Sequence, residues 1–272
     1  MTYESFVSEF QVDYDSRLEL DLIDFCIYGP NGIGKTPVCA GVIDYEGTNK
    51  PAFIDLESGA ASAKRMGIPV IDVQAYAAAN DLYLKKPANK NKIDIYKALL
   101  AIIDRLEKQR KKCIEEDIEF PFNVIVLDGY TKLAEVTMES VMDSDPKARE
   151  VPDIQHWNYL LHRIRKITNR LRLFPTHLIA TANEYTRQVS GVEFTGLDIN
   201  PRTMNTILSN FGLIGRMKLV NGEPVLTFKP LSSYISRDRL NLMPKEMKKP
   251  SIKEIFTMYL EEKNKVIGET KQ

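Results

Sequence analysis

Short apolar runs alternate with longer stretches of helical period along this chain. Residues 22–29 ("LIDFCIYG") form an apolar run that closes on glycine, as a buried strand does. Runs of the same kind recur at 51–57 ("PAFIDLE"), 68–73 ("IPVIDV"), 123–129 ("NVIVLDG") and 176–184 ("THLIATANE"). Between them, residues 94–116 and 157–174 place apolar side chains every three or four positions, the second with a basic opposite face. This alternation predicts an α/β domain on a mostly parallel, twisted sheet flanked by helices. After about residue 200 the rhythm changes. Residues 212–230 read as two strands joined at Asn221-Gly222, a hairpin that extends the sheet edge with antiparallel strands. Residues 250–265 predict a terminal helix, with Ser251 as N-cap and Glu254 three positions on. Loops are expected at 79–92, 142–153, 185–200 and 230–250. The first carries Lys85, Lys86, Lys90 and Lys92 and reads as a mobile, solvated segment.

Composition narrows the picture by exclusion. The 272 residues, 43% of them apolar, suffice for one large core or one core with a small appendage. Basic and acidic residues balance at 37 each, so binding to a polyanion would have to come from a local patch. No run approaches the roughly 18 apolar residues a membrane helix needs. The first twenty residues lack the basic and then apolar organisation of a secretory leader. Cys26, Cys39 and Cys113 are far apart and read as buried thiols of a reducing cytoplasm. His156, His162 and His177 show no zinc spacing.

The strongest chemical signal is "GPNGIGKTP", residues 29–37. Gly29, Pro30, Asn31, Gly32, Ile33, Gly34, Lys35 and Thr36 have the spacing G-x-x-x-x-G-K-T after a predicted strand, the context of a phosphate-binding P-loop. Its glycines free the backbone so that N–H groups face phosphate oxygens, and the helix N-terminus that follows adds partial positive charge. In such a loop Lys35 reaches the β- and γ-phosphates of ATP, and the Thr36 hydroxyl ligates Mg2+. Pro37 falls in the first helical turn, where a missing N–H breaks no intrahelical bond. Asp128, at the end of its apolar run, is the second candidate for Mg2+. Gly129 follows it and carries no carboxylate, so a base must come from elsewhere. Glu57 ends another predicted strand, and strand C-termini gather along one edge of a parallel sheet. Asp55 is the other acid there, two positions away and so expected on the same face.

These stretches together resemble the RecA/RadA-like P-loop ATPases, most of all the short phage-encoded members linked to single-strand annealing and recombination. "PAFIDLESGAASAKRMGIPVIDV" resembles their second-strand region, "VIVLDGYTKL" their Walker B strand and "THLIATANEYTRQ" their sensor strand. "YISRDRL" resembles their basic finger. The resemblance spans about 20–242 and implies that Glu57 activates the attacking water. It implies that Asn183 or its neighbour Glu184 senses the γ-phosphate. It also implies that Arg237 and Arg239 reach the nucleotide of a neighbouring copy in a ring or filament. The implied partners are further copies of the chain, single-stranded DNA and a single-strand DNA-binding protein, with no membrane, in the cytoplasm of a host cell.

In that family the loops after the Walker B and sensor strands line the DNA channel, here about 142–155 and 185–203. The second offers Arg187, Gln188, Asn200 and Arg202, with Tyr185 and Phe194 to stack on bases. The helix at 157–174 adds Arg163, Arg165, Lys166, Arg170 and Arg172, unless that face is simply solvated. The expected organisation is an N-terminal segment 1–20, whose Phe6 and Phe10 would contact a neighbour or join the core, an ATPase core 21–242, and a C-terminal helix and tail 243–272. Two other classes share the cradle: a P-loop small-molecule kinase, and a non-catalytic nucleotide-dependent switch in replication or packaging.

Overall fold

The computed structural model describes residues 22–270, apart from 90, 149 and 190. Phe6, Phe10, the rest of the segment 1–20, and Lys90 lie outside the described residues. The apolar runs form parallel strands: β1 (Asp24–Gly29), β2 (Pro51–Asp55), β3 (Val70–Asp72), β4 (Val124–Asp128) and β5 (His177–Val189). β6 (Val192–Leu197) folds back on β5, and β7 (Leu213–Val220) lies parallel to β1. β8 (Glu223–Thr227), β9 (Arg237–Asp238) and β10 (Glu246–Lys248) are antiparallel additions. Across the sheet the order is β10-β8-β7-β1-β5-β4-β2-β3. One strand, β5, therefore separates the cradle strand β1 from the Asp128 strand β4, and β2 with Glu57 just past its end is the next neighbour. This is the mostly parallel, RecA-like architecture expected, with the hairpin at the edge.

Eight helices are described: α1 (Lys35–Ala40), α2 (Ala61–Arg65), α3 (Val73–Ala79), α4 (Ile95–Glu115), α5 (Tyr130–Ser144), α6 (Ile154–Arg172), α7 (Pro201–Leu208) and α8 (Ile252–Thr270). Strand alternation divides the core in two. Cys26 and Tyr28 of β1 face the layer of α3 to α7, and Phe25 and Ile27 face the layer of α1, α2 and α8. The terminal helix expected after residue 250 is α8, capped by Ser251 Oγ accepting the Glu254 N–H at 3.1 Å. Its Ile252, Ile255 and Phe256 are fully buried in the second layer.

Two expected loops are ordered differently. Residues 185–200 are mostly the β5–β6 hairpin, paired from Glu184–Leu197 to Val189–Val192. Its side chains are largely polar on both faces, so it lacks the apolar run that marks a buried strand, although Tyr, Thr, Val and Phe favour extended backbone. The lysine-rich segment 79–92 is not loosely attached. The Asp143 carboxylate accepts the N–H groups of Lys85 (2.5 Å) and Lys86 (2.9 Å), and Leu84 is buried. The 230–250 stretch contains β9 and β10, and 142–153 begins inside α5.

Gly29 shows why the cradle starts with glycine. It ends β1 between β5 and β7, and a Cβ there would lie 2.4 Å from the Met217 carbonyl oxygen. Backbone cannot yield as a side chain can. Gly29→Ala should therefore push β7 off β1 and destabilise the chain by about 1–3 kcal/mol. Urea unfolding checks this; an unchanged midpoint would show that the strands tolerate the methyl.

Candidate nucleotide site

The cradle turns on two glycines in left-handed backbone, Gly32 (φ 73°) and Gly34 (φ 101°), and opens into α1 at Lys35. α1 has only six residues before it tightens into a 3-10 turn. The positive field of the cradle thus comes chiefly from the Lys35 ammonium and the loop N–H groups, and little from a helix dipole. Pro37 is the third residue of α1, and the first intrahelical bond, Val38 N–H to Gly34 O, forms beyond it.

Lys35 is buried, and its ammonium donates to Gly29 O (3.0 Å), Pro30 O (2.8 Å) and Asn183 Oδ1 (3.1 Å). Burial lowers its pKa, opposed by the carboxylates of Glu57, Asp128 and Glu184. Thr36 Oγ1 donates to Asp128 Oδ2 at 2.8 Å. Thr181 Oγ1 donates to the other carboxylate oxygen at 2.5 Å and accepts the Gly129 N–H at 2.9 Å. Burial raises the Asp128 pKa, and the Thr181 and Thr36 hydroxyls counter it.

Glu57 lies just past β2, with its side chain exposed at the mouth of the site. Asp55 does not share this role. It is fully buried, and its oxygens accept the N–H groups of Glu57 (2.9 Å) and Ala60 (2.9 Å), fixing the turn that presents Glu57. The expectation that both acids face the site is corrected: the chain turns out of β2 between them. Burial and the Asp128 charge raise the Glu57 pKa, and Lys35 pulls it down.

Gly129 explains the displaced acid. It has φ 107°, and a Cβ there would sit 3.0 Å from Glu57 Cγ. The Glu57 side chain occupies the space that a residue after Asp128 would fill.

Of the two sensor candidates, Asn183 touches the cradle, through Lys35. Its backbone is fixed by Thr131 Oγ1, which accepts its N–H (2.9 Å), and by the Asp198 N–H, which donates to its carbonyl (2.8 Å). Glu184 is held by Arg216 at 2.9 Å. Arg237 and Arg239 are not brought to the cradle of their own chain. Their guanidiniums donate to Leu208 O (2.8 Å) and Ser209 O (3.0 Å) at the end of α7. Sequence reading passed over Thr181 and Thr131, because a buried threonine in an apolar run or first helical turn looks like ordinary packing.

These residues fit a magnesium–nucleotide. Mg2+ takes oxygen ligands and keeps several waters and phosphate oxygens, so a hydroxyl and a carboxylate 2.8 Å apart are the donor pair expected. Among the described residues no group of three or more His, Cys, Asp or Glu side chains offers a self-sufficient metal cage. No helix among them is long and apolar enough to cross a membrane.

The model of the family described as "AAA domain" matches residues 22–240 of this chain. The solved structures that match include the ATPase domain of a helicase, at 13% identity over 87% of this chain and 90% of that one, with a TM-score of 0.39. No curated protein matches.

Proposed function

Since the chain belongs to the AAA domain family, we propose that it hydrolyses ATP in a self-assembled ring or filament, and that it acts on single-stranded DNA in phage recombination or annealing. One observation carries the hydrolytic part. Lys35, Thr36, Asp128 and Glu57 come from separate segments and converge at the C-terminal ends of β1, β4 and β2. Lys35 exchanges its carbonyl partners for phosphate oxygens and neutralises their charge. Thr36 and Asp128 hold Mg2+, which bridges phosphate oxygens and offsets their charge. Glu57 orients the attacking water and accepts its proton. Asn183 reports the terminal phosphate, since it already shares the Lys35 ammonium.

Arg237 and Arg239 complete the site from a neighbouring copy. Arg239 is exposed and needs only to release one carbonyl to reach outward. Arg239→Ala should leave nucleotide affinity nearly unchanged and slow turnover about 10- to 100-fold, a modest loss for a finger of this type. Wild-type turnover per chain should rise with protein concentration. Full activity in a dilute, strictly monomeric sample would remove the role in trans.

For DNA, support comes from the β5–β6 hairpin, where Tyr185 is exposed and the Arg187 guanidinium lies 5.6 Å from the centre of the Phe194 ring. Flat rings beside a cation suit stacked bases. The basic face of α6 gives less support. Arg170 is held by Asp104 and Glu107, Arg172 by Asp24, and Arg163 stacks on Tyr96. Titration with a single-stranded oligonucleotide tests this part. ATP-dependent binding that weakens with salt is expected; no binding at low salt would end the recombination reading.

A further inference from the structure

A cavity of about 850 Å³ lies between the 79–92 segment, α5 and the start of α6. That is the size of a ligand site. Leu84, Ala134, Met138, Met142, Trp157 and Leu160 form its apolar surface. Its charges are unbalanced. Glu135, Glu139, Glu150 and Asp198 line it against Lys86 and Lys92. Lys92 is already paired with Glu139 at 2.7 Å, and Lys86 is turned to the Ala148 carbonyl. The Glu150 and Asp198 carboxylates have no hydrogen bond or ion pair among the described residues. Burial and the Glu135 charge raise the Asp198 pKa, the mark of a negative field left uncompensated.

This surface repels phosphates, although it adjoins the 142–155 segment that the RecA resemblance assigns to DNA. It suits a cation on an apolar body. A tryptophan beside carboxylates attracts ammonium and guanidinium groups, and methionines adapt to varied apolar shapes. The cavity is also wired to the nucleotide site. Thr131 and Asp198 both line it, and both grip the Asn183 backbone, whose side chain holds Lys35.

We propose that this cavity docks a basic, apolar peptide segment of a partner protein, and that Asn183 transmits its occupancy to the nucleotide cradle. The second half rests on the nucleotide reading above; the first does not. Trp157 is the only tryptophan of the chain, so its emission reports the cavity directly. The probe is a blocked leucine-rich peptide with one lysine and one arginine, compared with the same peptide carrying two glutamates.

The basic peptide should shift Trp157 emission and bind at least about tenfold more tightly than the acidic one, and the Glu150→Gln/Asp198→Asn variant should lose about that factor. A non-hydrolysable ATP analogue should change the peptide affinity by the same factor as the peptide changes the analogue affinity. Equal response to both peptides, or a response to single-stranded oligonucleotide that the basic peptide does not compete, would overturn the docking. Basic-peptide binding that the analogue leaves unchanged would overturn the coupling alone. An analogue that fails to bind the peptide-free chain would remove the nucleotide reading while leaving docking intact.

Discussion

Lys35→Ala is expected to lower ATP turnover by about a thousandfold or more, to the limit of detection. The size follows from where the charge sits. The ammonium is buried, held by Gly29 O, Pro30 O and Asn183 Oδ1, and aimed at the space the loop encloses. Phosphate charge there is shielded little by water, so one fixed cation counts for far more than at the surface. Alanine leaves the loop without that charge and leaves Asn183 without its partner. Arginine should not restore activity, because its planar fork cannot enter a site shaped around a point charge. Phosphate release at saturating ATP, with unfolding followed in parallel, is the check. Turnover within tenfold of wild type would mean that the loop does not hold the reacting phosphates.

The second large effect falls on Glu57. Glu57→Gln should reduce turnover by about 10²- to 10⁴-fold while nucleotide affinity stays close to wild type. Glutamine keeps the shape and the contact with Gly129 but cannot accept a proton. Moving the acid to its neighbour should fail as a rescue. Gly129→Glu in a Glu57→Ala background places a side chain on backbone at φ 107°, which L-residues rarely adopt. Binding measured separately from turnover distinguishes a lost base from a lost site. Comparable losses in both would show that Glu57 holds the site together and leaves the water to another group.

The contrast between these residues shows what the sequence made legible. β1, β2 and β4 are nearly fully buried, so unbroken apolar runs revealed them, and the cradle and Asp128 stood at their ends. Glu57 was reachable because Gly129 could not serve. The reason for that glycine, the Glu57 side chain packed against it, needed coordinates. α5 gave no start signal, because its N-cap is Gly129, which offers no side-chain oxygen. α7 did offer one, Asn200 followed by Pro201. The β5–β6 hairpin escaped because pairing, not burial, defines it. Asp55 was misplaced because alternation holds only while the strand continues, and this strand stops at Asp55. The acidic cavity joins segments far apart in sequence, and no local pattern announces it.

Phosphate release from ATP, measured with Mg2+ and no added acceptor, tests the account most directly. The prediction is continuous release by assembled wild-type chain that stops when a chelator removes the metal and is lost in both Lys35→Ala and Glu57→Gln. An assembled, ATP-bound chain that releases no phosphate, with or without single-stranded DNA, would contradict it and leave a nucleotide-dependent switch in its place.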